Sequence, residues 1–154
     1  RVADRMADAC ETHLKHEGYA VHIDRLYDEP DNPAFRSPAP QAGAALAIWA
    51  TTETGAILGA DMAGKPGRAS EHIGHQVARM FLEDVHTGAA VDRHLEDQWI
   101  PFAALAQGTS RVRIPGVTDH VEARLWLAEL FFNTPATIED NIVTLTGAGI
   151  SARR

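Results

Sequence analysis

A mixed α+β fold is what this sequence predicts, and three observations predict it. Apolar residues recur at helical spacing over residues 2–16 and 68–86. Short runs rich in β-branched residues, such as "SRVRIPG" and "IVTLTG", are bounded by glycine or by Asp-Asn, as strands are. Prolines and glycines punctuate the chain between these segments. The resulting order is α-β-loop-β-β-α, followed by α-β-α-β-β.

Taken from the start, Val2, Met6, Cys10 and Leu14 stand at four-residue steps and mark one face of a helix over 2–16. "GYAVHIDRLYD" (18–28) alternates Ala20, His22 and Asp24 with Val21 and Ile23, which predicts a strand. "EPDNPAFRSPAPQAG" (29–43) contains Pro30, Pro33, Pro38 and Pro40 and is expected to be a loop. "AALAIWATTETGAILGADMAG" (44–64) predicts a hairpin that turns near Glu53-Thr54-Gly55. From about 68 to 86, Ile73, Val77, Met80, Phe81 and Val85 form an apolar stripe, so an amphipathic helix is expected. "HTGAA" (86–90) ends it, and a second helix is expected over about 90–106. A strand at 110–116, a helix at 118–132 and two strands joined by Asp140-Asn141 complete the chain.

The 154 residues, 45% of them apolar, support one ordinary domain or two small ones. With 14 Lys plus Arg against 21 Asp plus Glu, the formal charge is −7. An acidic chain is a poor sheath for a long nucleic acid, whose affinity comes from neutralising many phosphates. It remains compatible with an enzyme that grips one nucleotide or one strand end. The single cysteine, Cys10, forbids an internal disulfide or a CxxC site; it falls on an apolar stripe, as a packed thiol would, and suits a reducing cytoplasm. No run approaches the roughly 18 apolar residues of a membrane span. The charged helical pattern at the start is not expected to act as a signal peptide. The sequence begins at Arg1 rather than Met, as a fragment would.

The stretch "VDRHLEDQWIPFAALAQG" (91–108) holds a polar cluster inside an apolar helix. Leu95, Trp99, Phe102 and Ala106 fall at the spacing of a core stripe, with His94, Gln98 and Pro101 on the neighbouring stripe and Asp97 between them. Pro101 mid-helix would free the carbonyl of Asp97 at a cost of about 3 kcal/mol. Spacing alone allows two readings. One is a solvated flank beside a core stripe; the other is a ring platform, His94, beside a carboxylate and an amide that hold a nucleotide.

"AVDRHLEDQWIPFAALAQGTS" followed by "VTDH" resembles the C-terminal signature of the RNA 3′-terminal phosphate cyclases. "VADRMA", "AALAIWATTETGAILGADMAGKPG" and "SEHIG" resemble the same family, so the likeness covers nearly the whole chain. The resemblance implies a thioredoxin-like insert domain, incomplete here, over 1–88, followed at 89–154 by part of a β-α-β-α-β-β repeat unit of the catalytic domain. Without CxxC the insert is expected to carry no redox chemistry. The implied activity is the ATP-dependent conversion of an RNA 3′-phosphate end to a 2′,3′-cyclic phosphate through a covalent histidine-AMP, with a divalent metal, Mg or Mn. By position in the signature, His120 is the implied nucleophile, His94 the adenine-stacking ring, and Asp97 and Gln98 the nucleotide contacts. Gly64 and Lys65 fall near the nucleotide side, although an exposed turn accounts for them as well. The metal-binding carboxylate and the RNA-phosphate arginines would lie upstream of Arg1, in an N-terminal part that this piece needs as its partner.

The residues around His120 make that position sensible in themselves. Thr118 or Asp119 is a natural N-cap, and Asp119-His-Val-Glu122 resembles a capping box, so His120 is expected in a first helical turn. A bare surface histidine fits the same place. Glu71, His72 and His75 share a helix face, but no third strong ligand follows at zinc-like spacing, and a solvated face is expected. One departure bears on activity: the family usually has x-x-Thr-Asn after the histidine, whereas Ala123 and Arg124 stand here. The alternative function is therefore a catalytically silent relative that binds RNA or protein in RNA processing or ribosome biogenesis.

Overall fold

The computed structural model describes residues 1–29, 32, 34, 37 and 39–151. The chain divides into two compact units, residues 1–49 with 59–82 and residues 50–58 with 83–154. Its elements are four helices and five strands among the described residues: α1 (Val2–His16), β1 (Ala45–Thr51), β2 (Ile57–Ala63), α2 (Ser70–His86), α3 (Ile100–Leu105), β3 (Gln107–Arg113), α4 (Asp119–Phe132), β4 (Ala136–Glu139) and β5 (Ile142–Ala148). The α+β reading therefore holds. None of these helices is long and apolar enough to cross a membrane.

In the first unit, α1 buries Met6, Ala7, Cys10 and Leu14, close to the predicted face, while Val2 remains exposed. Lys15 in its last turn complements the negative helix end. From α2 the first unit buries Ile73, Val77, Ala78, Phe81 and Leu82. The two helices meet at Gly74. A Cβ there would run into the Met6 carbonyl oxygen and reach within 2.9 Å of the Ala9 Cβ and 3.0 Å of the Cys10 nitrogen. Only hydrogen fits that contact. β1 and β2 form the expected hairpin, turned at Gly55 with φ +84°. Leu46, Ile48, Leu58 and Ala60 are buried along it at strand period.

The predicted strand at 18–28 is not formed. That segment has no ladder partner; it is held to α1 by side chains instead. Arg25 reaches Asp8 at 2.6 Å and Glu11 at 3.3 Å, and the Tyr27 hydroxyl donates to Asp4. Alternation makes a strand possible, but a neighbour must supply its hydrogen bonds. Much of the proline-rich loop, including Pro30, Pro33 and Pro38, lies outside the described residues.

In the second unit a three-stranded antiparallel sheet runs β3-β5-β4. Asp140 and Asn141 sit at φ +49° and +59°, so a tight two-residue turn sets the β4–β5 register, with Glu139 opposite Ile142. Val143 and Leu145 of β5 share a core with Val91, Ile100, Ala103, Ala104, Ile114, Val121 and Ala128. Gly147 lets β5 pass the end of α3: a Cβ there would strike the carbonyl oxygens of Ala103 and Ala106.

The predicted helix over 90–106 is shorter than its sequence pattern. Residues 93–99 are turns, and α3 begins only at Ile100. The proposed core stripe is accordingly wrong: Leu95 and Phe102 are exposed, and Ile100, Ala103 and Ala104 are buried instead. Two segments of different backbone geometry cannot share one 3.6-residue phase. Pro101 lies at the start of α3, where its missing N–H is no loss, and the Asp97 carbonyl accepts from Ile100 N at 3.3 Å.

Two expectations test the packing of the first unit. Gly74→Ala should lower stability by about 1–3 kcal/mol, read from the urea midpoint, because neither helix backbone can yield easily. Gly43→Ala, which meets nothing within 4 Å, should change it little. A Gly74→Ala midpoint equal to wild type would disprove the close crossing. Burial, with the Glu11 charge adding, pushes the Cys10 thiol up to about 11 from 9.0. The folded state thus favours the neutral thiol, and that stabilisation is present below pH 9 and lost as pH rises through about 11. Urea unfolding at about pH 8 and about pH 10.5 should show wild type losing more stability than Cys10→Ala.

Candidate functional site

The second unit brings the segment 92–99 against the start of α4, and each contact has a local cause. Asp84, buried near the end of α2, accepts from Arg93 through Nε at 3.0 Å and Nη2 at 2.8 Å, and from the Arg93 backbone N–H at 3.0 Å. This bonding to Asp84, with Glu83 adding to it, pushes the Arg93 guanidinium still higher and keeps it charged. A buried carboxylate without such a partner would cost several kcal/mol, on the order of 3–5. Ala90 N–H donates to the Arg113 carbonyl at 2.9 Å and fixes the chain just upstream. Asp92 Oδ1 then accepts from the N–H groups of His94 at 3.0 Å and Leu95 at 2.9 Å. That turn sets His94 at the surface.

Glu96 is buried, and its Oε1 accepts from the Thr118 hydroxyl at 3.0 Å. The same hydroxyl accepts from Val121 N–H at 3.4 Å, so Thr118 caps α4 and holds Glu96 at once. With Thr118 as the cap, the Asp119–Glu122 capping box is one residue out of register and does not form. Asp97, its side chain 18% exposed, accepts from Arg124 Nε at 3.3 Å. Arg124 lies four residues after His120, on the same face of α4.

The four residues singled out in the sequence are therefore placed as follows. His120 is exposed in the first turn of α4, where the positive helix end favours an anion. Asp97 is linked to the same helix one turn further on, through Arg124. His94 and Gln98 are exposed on the turn that carries Asp97. Sequence reasoning missed Glu96 altogether. Thr118 was legible as a cap, but a partner 22 residues away leaves no local trace.

His75 faces His13 of α1, Nδ1 to Nδ1 at 3.4 Å, rather than pairing with His72. Among the described residues no group of three or more His, Cys, Asp or Glu is arranged to hold a metal ion. A cleft of about 680 Å³, lined in part by Arg25, Tyr27, Gln41 and Leu46, lies in the first unit and includes none of His94, Asp97, Gln98 or His120.

Comparison with known proteins gives these positions a context. The family model for the insert domain of RNA 3′-terminal phosphate cyclase matches residues 1–86. The chain is 30% identical over 154 residues to an RNA 3′-terminal phosphate cyclase of Korarchaeum cryptofilum, covering 97% of this chain and 42% of the relative. It is 37% identical over 131 residues to that of Ignicoccus hospitalis (84% and 36%), and 39% over 121 residues to that of Hyperthermus butylicus (77% and 32%). The chain thus spans about a third to two fifths of the length of the curated relatives it matches. The insert-domain match runs over more than half of these residues and the relatives extend the likeness to 97% of them, so the chain belongs to the RNA 3′-terminal phosphate cyclase family.

Proposed function

We propose that this chain is the C-terminal part of an ATP-dependent enzyme that converts an RNA 3′-phosphate end to a 2′,3′-cyclic phosphate. The observation that carries the reading is the accessible His120 in a capped first turn, one turn before the Arg124 that holds Asp97. On this reading residues 1–88 are a thioredoxin-like insert and 89–154 the end of the last repeat unit, in a cytoplasmic protein.

In the first step a His120 ring nitrogen attacks the α-phosphorus of ATP. An N–P bond forms, the bond to the bridging oxygen of the β-phosphate breaks, and pyrophosphate leaves. AMP then passes to the RNA 3′-phosphate, and the adjacent 2′-hydroxyl closes the ring and expels AMP. Splitting one dehydration into three displacements lowers each barrier. His94 stacks on adenine, and Asp97 and Gln98 contact the nucleotide. A divalent metal, Mg or Mn, would supply charge neutralisation in such chemistry. Among the described residues no group of three or more His, Cys, Asp or Glu is arranged to hold it.

The relatives are longer than this chain, and α4 has apolar surface for their remaining segments to cover: Trp126, Leu130 and Phe131 are 62%, 61% and 70% exposed. A second reading, a silent paralogue that binds RNA or protein, is favoured by one observation. Arg124 already engages the carboxylate that the enzyme reading assigns to the nucleotide.

The deciding experiment incubates the full-length protein with α-labelled ATP and magnesium. An acid-labile, base-stable label on His120 supports the enzyme; no label under conditions that label a working relative favours the silent paralogue. His120→Ala should abolish labelling and leave the unfolding midpoint nearly unchanged, because the residue is exposed. His94→Tyr should keep or improve nucleotide affinity, and a large loss would show that His94 does not stack. Residues 1–154 alone should neither adenylate nor stay monodisperse. Cyclisation of a 3′-phosphate RNA by the monomeric piece would overturn the assignment of its missing parts.

A further inference from the structure

We infer that Arg124 is a phosphate-contacting residue of this site, its guanidinium oriented by Asp97 and offering its Nη groups to the phosphates of the nucleotide that His120 attacks. The inference rests on the cyclase reading of His120. An arginine has five N–H donors in a rigid fork, and here one of them, Nε–H, is used on Asp97 at 3.3 Å. The Nη groups carry the other four, and the side chain is 46% exposed. Position four residues after His120 puts the two side chains on neighbouring sites of one helix face, Cβ atoms about 5–6 Å apart.

Charge makes the same argument independently. The two segments that meet here, 92–99 and 118–124, contribute five carboxylates, Asp92, Glu96, Asp97, Asp119 and Glu122, against two guanidiniums, Arg93 and Arg124. Arg93 is engaged with Asp84 and Glu83 at the end of α2. A triphosphate approaching His120 would meet a local excess of negative charge, and Arg124 is the guanidinium placed on the His120 helix to offset it. Arginine suits the task because its fork matches phosphate oxygens and stays charged at any working pH. The Asp97–Arg124 pair is partly exposed, and such pairs are worth about 0–1 kcal/mol, so it orients the fork without being needed to hold the fold.

The test uses the full-length protein as wild type, Arg124→Ala and Arg124→Lys, and reads the rate of His120 labelling against ATP concentration. Inhibition of that labelling by inorganic pyrophosphate and by adenosine is measured in parallel, with urea unfolding of each variant. Arg124→Ala should lower the labelling kcat/KM for ATP on the order of tenfold to a hundredfold. It should weaken pyrophosphate by a similar factor and leave adenosine inhibition and the unfolding midpoint unchanged. Arg124→Lys should recover part of the loss by keeping the charge. Wild-type kinetics in Arg124→Ala would overturn the inference, and so would equal weakening of pyrophosphate and adenosine, which would mark a structural role. Absence of label in the wild type would instead remove the cyclase reading itself, and Arg124 with it.

Discussion

The buried carboxylate of Glu96 and the hydroxyl of Thr118 form the contact on which the site in the second unit depends. A carboxylate out of water must be met by a donor, and one hydroxyl meets it while also capping α4. The direction in which α4 leaves its cap is thereby tied to the turn that carries His94, Asp97 and Gln98. Trp99 adds a second hold on the same residue, its indole N–H donating to the Glu96 carbonyl at 3.0 Å. No buried side-chain nitrogen or oxygen among the described residues lacks a partner, so the polar groups that shape this region are satisfied ones.

Around that contact the scaffold is plain. The sheet β3-β5-β4 offers Val143 and Leu145 to α3 and α4, and the absence of a side chain at Gly147 lets β5 approach the α3 carbonyls. Helix α4 differs from an ordinary surface helix. It buries Val121 and Ala128, yet along its second half it also carries Trp126, Leu130 and Phe131 outward beside Glu129.

The chemistry proposed here depends on placement more than on the identity of any one residue. A surface histidine is common and carries little information by itself. His120 gains meaning because it stands in a first helical turn, with a guanidinium one turn behind and a carboxylate holding that guanidinium. At the two positions where the resemblance implies Thr and Asn, Ala123 and Arg124 stand, so a methyl and a cation take the places of a hydroxyl and an amide.

The sequence by itself determined the α+β class, the helices α1 and α2 with part of each buried face, the hairpin at Gly55, the Asp140-Asn141 turn and the helix that opens at Thr118. Each of these is written in local periodicity or turn chemistry, which the chain displays within a few residues. The signature from Ala90 to His120 and the stretches before it pointed to the family, which the insert-domain match over residues 1–86 and the relatives bear out. Tertiary structure alone decided that 18–28 would lie along α1 without a ladder, because a strand needs a neighbour that its own alternation cannot supply. It also decided that 93–99 would turn instead of extending α3, and that Glu96 would meet Thr118 and Arg124 would meet Asp97. Those pairs join residues 22 and 27 positions apart, and side chains that meet across such a separation leave no periodic mark for a sequence to show.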